Sequence, residues 1–162
     1  MGYYRTAKIC QNGHMITNNV ESSENHDKFC SKCGAETITQ CRFCRAAIHG
    51  IYIVPGYIGK YPPTPVPSYC HNCGKPYPWT EAFLKNADEM VDMFDELSAE
   101  QKQQLKETFP DLIVKNPRSE LAALKAAKLI NGLTSFGKDI FVKLLQDNII
   151  QSLFTLMNIK AQ

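Results

Sequence analysis

No stretch of this chain is apolar for the roughly 20 residues a bilayer-spanning helix requires, and aliphatic residues are thin throughout its first half. The first absence excludes a hydropathy-driven transmembrane span. The second means that about 70 residues of N-terminal sequence have little with which to build an oily core, so a disulfide or metal staple is needed. No H-E-x-x-H and no G-x-S-x-G occurs, which removes two common hydrolase signatures. The opening MGYYRTAK lacks the apolar core of a cleavable leader. We therefore expect a cytoplasmic, reducing setting, in which paired cysteines favour metal over disulfide. Met1–Thr6 fits a myristoylation pattern, but so short a pattern with the bulky Tyr3 after the glycine reads as chance.

Acidic residues are also scarce outside one region. Residues 1–79 hold eight Lys/Arg and four Asp/Glu, residues 80–114 three and nine, and residues 115–162 seven and three. The net charge of +2 thus hides a basic–acidic–basic order, which argues against one continuous nucleic-acid-binding face.

What the first half does contain is cysteine. All seven lie between Cys10 and Cys73 and, with His14, form four pairs: Cys10/His14, Cys30/Cys33, Cys41/Cys44 and Cys70/Cys73. Phe29-Cys-Ser-Lys-Cys-Gly34 and Tyr69-Cys-His-Asn-Cys-Gly74 repeat the form aromatic-C-x-x-C-G. In such a knuckle two thiolates sit on one side of a tight turn, backbone N–H groups face the sulfurs, and the glycine relieves the backbone. Each repeat follows a plainer pair. The natural parse is two consecutive four-ligand sites, Cys10/His14/Cys30/Cys33 and Cys41/Cys44/Cys70/Cys73. Alternating pairs, as in a RING-like cross-brace, are the rival parse. The repeated knuckle and the seven-residue gap between Cys33 and Cys41 favour the consecutive one. Four thiolate or imidazole donors match closed, structural Zn²⁺ sites, so two Zn²⁺ are expected. Iron in a rubredoxin-like site is an option for the all-cysteine set. Of the other histidines, His49 is the only credible substitute ligand, and His26 and His71 read as solvated or outer residues.

Around these ligands, residues 3–9 read as one strand, Met15–Thr17 as its hairpin return, 18–28 as a loop, and Ala35–Gln40 and Ile51–Val54 as further strands. Prolines 62, 63, 65 and 67 give a stiff extended path with tyrosines at both ends, a spacer or a docking segment. Past Trp79 the pattern turns helical. Thr80 is a plausible N-cap for a helix with Phe83, Ala87, Met90, Val91 and Phe94 on one face. Ser98–Gln101 fits a capping box for a short helix stopping near Pro110. Asn116 and Pro117 open an alanine-rich helix that Gly132 ends. A last helix over about 135–158 carries a broad apolar stripe through Phe141, Leu145, Ile149 and Leu153, wide enough to suggest a second copy, a partner or a lipid surface as cover. Gly132–Lys138 matches most of a phosphate-binding loop, but Asp139 stands where Ser or Thr should hold magnesium.

Cys10-x-Asn-Gly-His14, the two aromatic-C-x-x-C-G knuckles, Cys41-x-x-Cys44 and the following Pro78-Trp79 resemble a bacterial zinc-ribbon family described as a domain of unknown function. They also resemble the broader double-zinc-ribbon group. The resemblance implies metal-bound ribbons that serve as protein- or nucleic-acid-binding modules, and it carries no catalytic residue.

The expectation is an α+β protein with tandem zinc ribbons (residues 1–78) and an all-α domain (79–162). Its expected role is non-enzymatic binding, with a protein partner or self-association through residues 117–158. In the alternative, Lys28, Lys32, Arg42, Arg45 and Lys60 contact nucleic-acid phosphate while Tyr52, Tyr57 and Tyr61 stack on bases. A membrane-surface role for the last helix is a third reading.

Overall fold

The structure, a computed structural model, describes residues 1–22 and 27–146, with side chains described to residue 141. His26 and the part of the last apolar stripe beyond Gln146, including Ile149 and Leu153, lie outside the described residues. The chain divides into two compact units, Met1–Ala82 and a second beginning at Phe83.

The first unit is built from short strands: β1 (Tyr3–Thr6), β2 (Lys8–Cys10), β3 (Met15–Thr17), β4 (Thr37–Ile38) and β5 (His49–Ile53). The single strand expected over residues 3–9 is two. β1 pairs antiparallel with β5, placing Tyr4 opposite Tyr52, while β2 is the centre of a separate antiparallel sheet of order β3-β2-β4. The split falls at Ala7, which is fully buried and whose N–H bonds the Ile48 carbonyl at 2.9 Å. That bond redirects the ladder from one partner to another. Likewise only Thr37 and Ile38 of the expected Ala35–Gln40 strand pair in a sheet, because residues on both sides are taken up by metal-site turns. In the 18–28 segment, Val20–Ser22 makes one 3₁₀ turn whose Glu21 carboxylate accepts from the Thr6 N–H and hydroxyl.

The apolar centre of this unit is small: Ala7, Ile9, Ile48 and Tyr77 with Cys41 and Cys70. Two of its six fully packed members are metal-type ligands. This is the shortage of aliphatic residues made visible.

Helix α1 (Pro78–Asp92) starts two residues before the expected Thr80 cap. Pro78 occupies the first helical turn, where its fixed φ is pre-organised and its missing N–H costs nothing, and the Tyr77 carbonyl accepts from Thr80 and Glu81. In the second unit α2 (Ala99–Lys106) opens with the expected capping box, with both reciprocal Ser98–Gln101 bonds present. Pro110 does not stop it. It lies in the first turn of a separate short helix, α3 (Phe109–Leu112). α4 (Ser119–Ile130) begins later than Asn116-Pro117 implied, because Asn116 caps a turn first, accepting from the Arg118 N–H at 2.7 Å. α5 (Ser135–Gln146) follows Gly132.

The helical core gathers Val91, Phe94, Leu105, Phe109, Leu112, Ile130 and Phe141, with Phe109 and Phe141 ring centroids 6.1 Å apart. α4 faces it with alanines. Ala122, Ala123, Ala126 and Ala127 are buried, while Leu121 and Leu124 are more than half exposed. The spacing explains this: 119, 122, 123, 126, 127 and 130 fall on one stripe, and small side chains let the backbone come close. The acidic face of α1 is tied down in part by the Lys106–Asp92 pair at 2.7 Å. Among the described residues no helix is long and apolar enough to cross a membrane.

Candidate metal centres

Three tight turns of one design carry six of the ligands. In each, the first cysteine donates its backbone N–H to the residue five positions on: Cys30 to Ala35, Cys41 to Ala46 and Cys70 to Lys75, at 2.8–2.9 Å. The residue after the second cysteine returns its N–H to the first cysteine's carbonyl (Gly34, Arg45 and Gly74, at 2.7–2.9 Å). All three take a positive φ, of 71°, 60° and 68°. The repeat visible in sequence has two copies. The third, Gln40–Ala47, was hidden because Arg45 stands where the others have glycine. An L-residue in this conformation costs about 1–2 kcal/mol, and glycine gives back part of that as chain entropy. Arg45→Gly is therefore expected to stabilise the zinc-loaded protein by about 0.5–1 kcal/mol in urea unfolding. No change, or a loss, would show that the Arg45 side chain contributes as much as its backbone strain removes.

The fourth turn, at the β2–β3 hairpin, is different. Gly13, at φ 86°, lets the chain reverse so that Cys10 and His14 face the same point. The Cys10 N–H bonds the His14 carbonyl and the His14 N–H points at the Cys10 sulfur, 3.2 Å away.

The turns meet in consecutive order, not as a cross-brace. Ligand atoms of Cys10, His14, Cys30 and Cys33 lie within 4.8 Å of one another, and so do those of Cys41, Cys44, Cys70 and Cys73. A tetrahedral zinc ion with Zn–S near 2.3 Å and Zn–N near 2.0–2.1 Å sets S···S edges of about 3.8 Å and S···N edges of about 3.6 Å. The His14 Nδ1 is 3.3–3.6 Å from the three sulfurs of its site. Sulfur pairs are 3.8 Å apart for Cys10–Cys33, 3.7 Å for Cys41–Cys73 and 3.6 Å for Cys44–Cys70. A disulfide needs about 2.05 Å, and all seven cysteines are free. Both donor sets therefore fit a four-coordinate ion of zinc's size.

Electrostatics agree. Burial works against ionising Cys70, yet N–H groups of Cys73 and Asn72 bring its thiol down to about 6. The Lys75 N–H favours the Cys73 thiolate too, but burial and the three neighbouring sulfurs override it and push that thiol up to about 12. Four sulfurs so close cannot all ionise together by themselves. A divalent cation at their centre is what the geometry lacks in charge. Tyr77, buried beside Cys41 and Cys70, is pushed upward by burial and by the Cys70 thiolate to which its hydroxyl bonds.

His49 is not a ligand in this arrangement. It stacks between Tyr4, centroids 4.0 Å apart, and His71, 3.6 Å apart. This ring column beside the all-cysteine site was not legible from spacing. Of the basic residues considered for nucleic acid, Arg42 is paired with Glu81 and lies over the Phe43 ring, and Arg45 occupies the strained turn position. Lys28, Lys32 and Lys60 are exposed. Three of the tyrosines do converge. Tyr52, Tyr57 and Tyr61, with Tyr4, Pro62 and Pro63, line an apolar groove of about 360 Å³. The proline path is held back over β5, with Thr64 accepting from Asn18 at 3.0 Å. The phosphate-loop match dissolves: Ser135–Lys138 is the first turn of α5, and the Gly137 N–H is taken by the Thr134 hydroxyl.

Two four-donor clusters on short β-hairpins, followed by a helical half, define a double-zinc-ribbon-like α+β protein. The chain belongs to the family described as "Uncharacterized protein conserved in bacteria (DUF2321)", whose model matches residues 3–154. No curated protein and no solved structure matches it.

Proposed function

We propose that this is a non-enzymatic adaptor in which two structural Zn²⁺ ions hold a rigid ribbon module and the helical unit mediates association with a protein partner or a second copy. The observation that supports this most is the closure of both centres. Each has four protein donors, with the first cysteine of every pair buried. A catalytic zinc site keeps a position open for water, and four protein ligands leave none. All seven cysteines lie in the two clusters, so with metal bound none is left as a free thiol nucleophile. The reading places the protein in a reducing, cytoplasmic setting, where paired cysteines favour metal over disulfide.

Nucleic acid is the weaker reading for a charge reason. Residues 1–79 carry a formal excess of four positive charges. A loaded Cys₃His centre has a net charge of −1 and a Cys₄ centre −2, which cancels most of that excess. Binding driven by phosphate contacts would need it. The exposed apolar residues Leu121, Leu124 and Phe136 favour protein contact in the helical half.

Sedimentation of the zinc-loaded chain over a concentration series tests the self-association arm. A concentration-dependent dimer or higher oligomer is expected, reduced to monomer by Leu121→Lys with Leu124→Lys. A monomer at all concentrations would remove self-association and leave a heterologous partner as the surviving form. Binding to a fluorescent single-stranded oligonucleotide that weakens steeply with salt would overturn the protein-adaptor reading in favour of nucleic acid.

A further inference from the structure

The two centres meet at one seam of the ribbon unit, and Trp79 lies in it. A Cβ added to Gly13, inside the Cys10–His14 hairpin, would lie 3.2 Å from the Trp79 Cβ and 3.3 Å from its Cγ, so that hairpin rests against the base of the indole. The indole ring stacks on Tyr77, with centroids 4.8 Å apart and planes within 19° of parallel. Tyr77 is 2 % exposed and packs in the cluster that holds Cys41 and Cys70, two donors of the second centre. The indole N–H donates to the Pro67 carbonyl at 2.9 Å, just ahead of Cys70. Trp79 thus has the first centre's hairpin on one side and the approach to the second centre on the other. The same buried cluster contains Ile9, the neighbour of Cys10. The Ile48 N–H bonds the Thr39 carbonyl at 2.9 Å. That bond ties the chain leaving the Cys41/Cys44 turn to the residue after β4, the strand that pairs with Cys10.

We propose that the two centres load cooperatively, with Trp79 as the residue that couples them. The inference rests on the two-zinc reading above. The physical reason is a shared ordering cost. Metal binding must also fix the segments that carry the donors, and that cost comes off the apparent affinity. Here Ile9, Ile48, Tyr77 and Trp79 form a seam that both centres use. The first ion orders it, and the second meets a seam already formed. Such coupling is reciprocal: the factor by which one centre tightens the other is returned in full. The alternative is two ribbons that load independently, with Trp79 only filling the space between them.

Disabling one centre while measuring the other separates the two. Cys33 and Cys73 are the exposed donors, and both lie outside the buried cluster. Cys33→Ser and Cys73→Ser therefore remove a metal without emptying the seam. The full chain is loaded with Co²⁺, whose bands differ between Cys₃His and Cys₄ centres, and a competing chelator measures each affinity. Cys73→Ser is expected to weaken the first centre, and Cys33→Ser the second, by the same factor, in the range of about 5–150-fold. Repeating both measurements in Trp79→Ala is expected to bring that factor below about threefold. Trp79→Phe, which keeps a stacking ring but loses the bond to Pro67, should fall in between, and it decides alone if Trp79→Ala does not fold. A Trp79 that merely supports the fold would weaken both centres and leave the factor as it was, which would overturn its coupling role. Affinities within about twofold of the wild type at each centre when the other is disabled would overturn the cooperativity itself. A wild-type chain that takes up no cobalt would instead overturn the zinc reading.

Discussion

Exhaustive chelation of the purified protein is expected to unfold residues 1–82 while the helices of the second unit persist. The first unit's apolar cluster has six fully packed members, two of them cysteines. The stability of a whole domain is only about 5–15 kcal/mol, whereas a structural zinc contributes an apparent 10–16 kcal/mol in small metal-folded peptides at neutral pH. Removing two such ions leaves nothing of comparable size to hold the hairpins. The chain carries its own reporter: Trp79 is its only tryptophan. Trp79 stacks on Tyr77 with centroids 4.8 Å apart, bonds the Pro67 carbonyl at 2.9 Å, and packs near Gly13 of the first centre. Its emission should move to the red on chelation and return with two equivalents of zinc, while far-ultraviolet dichroism retains most of its helical signal. Cys70→Ser alone should leave one zinc per chain and already expose Trp79, since Tyr77 packs against Cys70. Fewer than two metal equivalents in the native protein, or unchanged fluorescence after complete chelation, would refute the metal as the organiser of this unit.

Gly50→Ala should be the most damaging single methyl group in the ribbon unit. A Cβ placed there would lie 2.0 Å from the Asn18 carbonyl oxygen and 3.0 Å from the Ala7 nitrogen, both backbone atoms. The Asn18 carbonyl accepts from the Ile51 N–H at 2.9 Å, so relief of the clash breaks the bond that anchors β5. Overpacking of this kind costs about 3 kcal/mol or somewhat more. Gly34→Ala is the informative comparison. It meets no atom within 4 Å, but its φ of +71° is unfavourable for alanine. It should cost only about 1–2 kcal/mol. Urea unfolding of the zinc-loaded proteins, followed at Trp79, measures both. Equal stabilities for Gly50→Ala and wild type would mean that the β5–Asn18 approach is not tight in solution.

The ligands were readable because metal chemistry imposes its own spacing. A C-x-x-C pair can place two sulfurs on one ion only through a tight turn, and a glycine after it announces the backbone that turn needs. Arg45 shows where the signal ends. Its turn has the geometry of the glycine-bearing ones, yet propensity says nothing of it, since the metal set outweighs a local cost of one or two kcal/mol. The helical half was readable for a similar reason: the Ser98 capping box and the Val91–Phe94 face are local patterns. The alanine richness of α4 was legible as well, but that Ala122, Ala123, Ala126 and Ala127 would be buried while Leu121 and Leu124 stay more than half exposed was decided by packing.

The sequence by itself therefore determined which eight side chains are the donors and that helices follow, while the structure decided between the consecutive grouping that the sequence favoured and its cross-braced rival. Donors and helices depend on spacings within a few residues and on a periodicity of 3.6. Only the tertiary structure decided that Ala7 would divide one strand between two sheets, that Gly50 would touch the backbone of Asn18, and that Tyr4, His49 and His71 would stack. It also brought Asn12 to Cys33, 21 residues away along the chain. Those contacts depend on how separate turns are brought together, and no local preference encodes that.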